Sequence, residues 1–264
     1  MADGLDIRWF DPARANLLVG LLVFLVFLIA NILRARGGGS IFIRPLAGLQ
    51  ALDEAIGRAT EMGRPVVYLP GLGDMSEVGT LASITIMTRV ARRTADMGCA
   101  LNVPCYDPVV MAILDGAVKE AYVEAGRADQ YRPGSVHYVS AQQFAYVAAV
   151  SGMMLRERPA ANIYMGSFYA ESLFLAETGN QTGAIQIAGC DQVTQLPFFV
   201  CACDYVLLGE ELYAASAYLG REPIQLATIS AQDWAKALAA AVVVVSLIAT
   251  AFGHPELGRL LQTR

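Results

Sequence analysis

Residues 65–74 read PVVYLPGLGD. The apolar run between the two prolines has the length of a strand buried on both faces. The turn Gly71-Leu72-Gly73 follows, and from residue 75 to residue 97 the pattern becomes that of a helix. Asp74, with Glu77 three residues further on, resembles a capping box, the usual signature of a helix start. A buried strand, a tight glycine turn and a capped helix make one βα unit.

The same pattern recurs outward from this unit. A helix-like stretch at 46–62 precedes it. Strand candidates follow at 100–106, 136–139, 162–165, 184–188 and 205–208. Helical patterns lie at 108–124, 142–157, 168–177 and 210–219, and a last apolar piece at 224–229 fits either a strand or a loop. Short continuous apolar strands alternating with helices predict an α/β fold. Its core is a mostly parallel, doubly wound sheet covered on both faces. Polar residues mark the junctions. Asp107 precedes Pro108, an N-cap followed by proline at the first helical position. Ser140 with Gln143 suggests a second capping box, and Ser167 and Asp191 stand where later helices would start. Each follows a strand candidate, so Gly71, Gly73, Asp74, Asp107, Ser140, Ser167 and Asp191 are expected along the carboxyl edge of the sheet. Open α/β sheets bind ligands there.

The chemistry offered by these residues is thin. Helix N-termini attract anions, and glycines let a ligand approach the backbone. The loop at 71–74 nevertheless lacks the third glycine of a dinucleotide fingerprint, and Glu77 opposes a phosphate. A P-loop needs a lysine, and the chain has only Lys119 and Lys236. Gly166-Ser167 falls short of the nucleophile-elbow spacing, and the two histidines, His137 and His254, offer no ready base. Cys190, Cys201 and Cys203 are not accompanied by a zinc-type ligand set. No catalytic residue, no metal site and no cofactor are expected. Glu171 reads either as first-turn helix charge or as an unusual buried acid. Arg89, Arg92 and Arg93 read as a solvated face pairing with acids.

The composition places the domain. Hydrophobic residues are 55% of 264, charged residues 16%, and the mean hydropathy is +0.45. Disorder is excluded, and a freely soluble monomer is disfavoured. A net charge of −5 argues against nucleic acid. Residues 17–33, LLVGLLVFLVFLIANIL, carry no charge. Trp9 and Phe10 precede them, and Arg34 and Arg36 follow. This pattern predicts a membrane helix. A cleaved signal peptide would have a basic start, whereas Asp3, Asp6 and Asp11 stand here. Residues 237–252, ALAAAVVVVSLIATAF, predict a second span, with a buried or interfacial helix as the alternative.

The expected organisation is therefore an N-terminal segment (1–16), a first transmembrane helix (17–34), the α/β domain (35–233), a second transmembrane helix (234–253) and a tail (254–264). Residues 36–40, RGGGS, form a flexible joint. From residue 36 to residue 233 there are 13 basic and 20 acidic residues, a net of −7, so the domain should not lie flat on anionic lipid. Arginines flanking the first span, and an odd number of cysteines without disulfide spacing, place the domain on the cytoplasmic face of the membrane.

Three stretches carry a family resemblance. They are SIFIRPLAGLQALDEAIGRATEMGRPVVYLPG (40–71), MGSFYAESLFLAETGNQTGAIQIAGCDQVTQLPFFVCACDY (165–205) and GEELYAASAYLGREP (209–223). Together they resemble a family of uncharacterised prokaryotic membrane proteins, defined only as a domain of unknown function. The resemblance implies a membrane-associated, Rossmann-like α/β domain between transmembrane helices, and the membrane expected for it is a prokaryotic inner one. It carries over no activity and no site residue.

Residues 144–155, 168–175 and 196–208 are more apolar than one doubly wound sheet requires. Met153, Met154, Phe174, Phe198 and Phe199 are not all expected to face inward. This excess favours a non-enzymatic, membrane-anchored domain that assembles with copies of itself. A sensor or enzyme using the carboxyl edge, and a subunit of a transport or secretion complex with other membrane proteins, are the alternatives.

Overall fold

The computed structural model describes residues 15–36, 47–220 and 223–252, which form two units. The glycine joint at 37–40, the pair Trp9 and Phe10, and the tail with His254 lie outside the described residues. One unit is a pair of packed helices, α1 (Ala15–Arg36) and α9 (Pro223–Ala251). Both are long and apolar enough to cross a membrane, over Leu18–Arg36 and Pro223–Ala251. Their few polar groups are used locally. Asn31 Nδ2 donates to the Phe27 carbonyl at 2.9 Å, and Ser230 Oγ reaches Asn31 Oδ1 at 3.4 Å. The apolar piece at 224–229 is neither strand nor loop. It is the first turns of α9, which Pro223 opens by supplying helical φ where no N–H partner is needed.

The other unit is an α/β body. After α2 (Ala47–Met62) come β1 (Val66–Leu69), α3 (Val78–Met97), β2 (Leu101–Cys105), α4 (Pro108–Glu124), β3 (Val136–Tyr138) and α5 (Gln143–Glu157). The chain continues through β4 (Ala161–Gly166), α6 (Glu171–Thr182), β5 (Ile185–Cys190), α7 (Leu196–Ala202), β6 (Tyr205–Leu208) and α8 (Glu210–Gly220). The six strands lie in the order β3-β2-β1-β4-β5-β6, all parallel. The doubly wound expectation holds.

Alternate side chains of each strand feed two cores. Val66 and Tyr68 point into a core with residues of α2, α3, α4 and α8, such as Leu52, Ile86, Leu114 and Leu212. Val67 and Leu69 point into the opposite core with Tyr146, Met154, Phe168, Leu175 and Phe199, from the α5–α6–α7 side. Both faces of β1 are buried without exception, which is why its sequence runs apolar with no alternation. In the second core Tyr164, Phe168 and Phe199 pack as a triad with centroids 5.3 to 6.2 Å apart.

Several helix starts differ from expectation. Asp107 caps α4 as expected, accepting from the N–H groups of Val109 and Val110 at 2.8 and 2.9 Å. Asp74 instead closes a turn onto Ser76, and α3 begins only at Val78. Ser140 accepts from the Gln142 N–H, one residue ahead of the helix it was expected to cap. Neither Ser167 nor Asp191 caps a helix, since α6 starts at Glu171 and α7 at Leu196.

Candidate functional site

Strands β1 and β4 are neighbours whose following helices lie on opposite faces of the sheet, so their carboxyl ends form the switch point beyond which open α/β sheets place a crevice. The two strand ends are bound closely together. Leu72 N–H donates to the Ser167 carbonyl at 2.9 Å. Gly71 has φ +86, and a Cβ there would meet Ser167 O at 2.5 Å and Ser167 N at 2.8 Å. Gly166, at φ +131, is pressed against the Pro70 carbonyl in the same way. These glycines admit the chain's own backbone. Gly73 serves a similar end. The position of its missing Cβ lies 2.5 Å from Thr80 Oγ1 and 2.6 Å from Glu77 Oε2.

Side chains from three loops and four helices meet at this point. Ser167 Oγ donates to Asp191 Oδ2 at 3.0 Å, and Tyr213 Oη donates to the same oxygen at 3.2 Å. Tyr169 Oη donates to Glu77 Oε1 at 2.9 Å. Glu171, fully buried at the first position of α6, accepts from Tyr169 N–H at 2.6 Å and from the Gln143 amide. Glu171 is thus both a first-turn helix charge and a buried acid. Burial, hydrogen bonding to Glu77 and the charges of Glu77, Asp191 and Glu171 push the Tyr169 hydroxyl up to about 12. Burial, Asp191 and, more weakly, Glu77 push Tyr213 up to about 12 as well. The carboxyls that act on these two phenols come from two loops and the first turn of α6. Three polar atoms here are buried without a hydrogen-bond partner: Glu77 Oε2, Thr80 Oγ1 and Asp191 Oδ1.

Of the residues singled out from sequence, the structure brings Gly71, Ser167 and Asp191 together and sets Gly73 beside Glu77 and Thr80. Asp74 is exposed and spends its carboxylate on Ser76, whose N–H and hydroxyl hold its pKa below the usual carboxylate range. Asp107 and Ser140 are likewise committed to local backbone. Thr80, Tyr169 and Tyr213 carried no sequence signal. Glu77 had one, but it pointed to a cap.

Ser167 faces a carboxylate rather than an imidazole. His137 sits in β3 and lines an open groove at the other, amino edge of the sheet with Arg64, Arg132 and Glu157. The cysteines are free thiols, and among the described residues no group of three or more His, Cys, Asp or Glu side chains is placed to ligate a metal ion together. The arginines at 89 and 93 pair with Asp53, and Arg92 pairs with Glu124, on a solvated face.

Apolar side chains cover the outer surface of the α5–α6–α7 layer. Phe144, Leu155, Leu173, Phe174, Phe198 and Val200 are all exposed, Phe144 by 65% and Phe174 by 52%. Met153, Met154 and Phe199 face the core. The apolar excess of the sequence is therefore divided between the interior and this outer face.

A family model described as a domain of unknown function matches residues 5–260, a span that takes in both apolar helices as well as the α/β body. No curated protein and no solved structure matches the chain.

Proposed function

The chain belongs to the DUF6754 family, a domain of unknown function, and from that premise we propose that it is a membrane-anchored α/β scaffold that assembles with copies of itself. The observation that carries this reading is the apolar outer face of α5, α6 and α7. Phe144, Leu173, Phe174 and Phe198 in water cost free energy that burial against a like surface recovers, at roughly 25 cal/mol per Å². Stable interfaces cover about 800 Å² per partner. A set of six large apolar side chains on adjacent helices is a natural centre for one.

Anchoring strengthens the effect. Two membrane helices confine each domain to a layer near the bilayer, which raises the local concentration and lets weak contacts suffice. In this reading the α/β unit sits on the cytoplasmic face of a prokaryotic inner membrane. Arg34 and Arg36 at the end of α1, and five free thiols, suit that side. The partners are lipid and further copies of the chain, with no nucleic acid.

The test is the mass of the detergent-solubilised full chain at micromolar concentration, measured by light scattering after gel filtration. The reading expects an oligomer that a Phe144→Glu/Phe174→Glu double variant converts to a monomer with unchanged circular dichroism. A monomeric wild-type chain overturns it.

A further inference from the structure

The negative charge held beyond the ends of β1 and β4 has no cationic partner among the described residues. Among the described residues the side-chain partners of Glu77 and Asp191 are all hydroxyls: Tyr169 on Glu77, and Ser167 and Tyr213 on Asp191. The remaining oxygen of each carboxylate, Glu77 Oε2 and Asp191 Oδ1, is inaccessible to water and has no donor. The Thr80 side chain is completely buried, and its hydroxyl has no partner either.

Two of these atoms converge, and the Asp191 carboxyl stands beside the same helix turn. Thr80 Oγ1 and Glu77 Oε2 lie within 2.6 Å of a single position beside the bare Cα of Gly73. Asp191 Oδ2 lies 2.7 Å from the corresponding position at Gly79, the residue preceding Thr80. The first turn of α3 therefore has two carboxylates close to it, Asp191 at Gly79 and Glu77 near the Thr80 hydroxyl. Its helix dipole offsets about half a charge. Two carboxylates bring two charges, and the buried Glu171 carboxyl lies close enough to act on the same Tyr169. A buried acceptor left without a donor costs about 1–3 kcal/mol, and more when charged. An anion is opposed here, since every charge meeting it would be negative.

We propose that this crevice is a cation site, with Glu77 Oε2, Asp191 Oδ1 and the Thr80 hydroxyl as its oxygen donors. Oxygen-only donors with two carboxylates suit a hard divalent ion. They suit an alkylammonium group equally, because each of its N–H bonds finds an acceptor. The site is independent of the self-assembly reading, which rests on the opposite side of α5, α6 and α7.

The experiment uses the full chain in detergent at low ionic strength, with Mn²⁺ followed by electron paramagnetic resonance and ethylammonium by calorimetry. Saturable binding of either probe at one per chain is expected, and the probe that binds names the source. Glu77→Gln and Asp191→Asn each weaken it at least tenfold, while Asp74→Asn, at the neighbouring exposed acid, leaves it intact. Glu77→Gln also raises the melting temperature of the probe-free protein, because an unbalanced charge is gone. Should Asp191→Asn not fold, Glu77→Gln alone decides. Binding of neither probe, or binding unchanged in Glu77→Gln, overturns the proposal.

Discussion

Ser167 Oγ and Asp191 Oδ2 meet at 3.0 Å, joining the end of β4 to the end of β5 beside the first turn of α3. Ser167 is fully buried, so its hydroxyl has no alternative in water. Ser167→Ala leaves the Asp191 carboxylate with Tyr213 as its one side-chain donor. A loss of about 1–3 kcal/mol follows, read as a lower urea midpoint at unchanged slope. A nucleophilic role for Ser167 finds no support in this partner.

Gly179, in α6, faces a buried polar cluster. A Cβ there would lie 2.5 Å from Tyr164 Oη and 2.8 Å from Asn162 Nδ2, and would also strike Gln186 Oε1. Tyr164 Oη donates to that same Gln186 oxygen at 2.8 Å, so the cluster cannot retreat without breaking its own bonds. Gly179→Ala is expected to destabilise by about 1–3 kcal/mol, the usual cost of overpacking. Calorimetry reads this as a lower melting temperature. Gly116→Ala, with open space around the missing Cβ, lowers it not at all.

Two aspartates that look alike in sequence should separate in stability measurements. Asp107→Ala removes two hydrogen bonds from the first turn of α4 and costs about 1 kcal/mol in a denaturant titration. Asp74→Ala removes contacts within an exposed turn and leaves the midpoint in place.

Stability should fall in alkali. Burial, with weaker effects from Asp191 and Glu171, pushes the Cys190 thiol up to about 11, and burial with nearby carboxylates pushes Cys105 and Cys203 up to about 12. In the unfolded chain a thiol loses its proton near 8.5. The raised folded values mean that the native state keeps protons the unfolded state has released. The stabilisation is complete below about pH 8.5 and declines as pH climbs toward 11 and 12. Urea midpoints between pH 7.5 and 10.5 check this, and Cys105→Ala should flatten the decline.

The alternation of strand and helix was legible because β1, β4 and β5 are covered on both faces: β1 reads as an unbroken apolar run, and β4 and β5 are interrupted only by the buried amides Asn162 and Gln186. The helix α7 was not, because its seven residues, LPFFVCA, are apolar all round and show no period. The start of α9 was obscured by its own apolar residues, although Pro223 signalled it. Glu77 was legible as a helix-start residue, but its role depends on Asp74 turning back onto Ser76, which delays α3 to Val78. Thr80, Tyr169 and Tyr213 reach the crevice only through tertiary packing, from α3, the loop before α6, and α8. Which of the apolar residues in α5 to α7 face outward was set by helix rotation. Composition alone does not fix that rotation.

The strand order also has a consequence for how the chain folds. Val66 pairs with Leu101 on one side and with Ala161 on the other, so β1 gains its second neighbour only after α3, β2, α4, β3 and α5 have been made. Until then the inner edge of a half-built sheet presents unpaired N–H and C=O groups beside fully apolar side chains, a template for pairing with the wrong chain. Contacts of such sequence separation form slowly. A chain that ends before β4 therefore leaves one edge of β1 open, and this is the edge at which mispairing between incomplete chains would start.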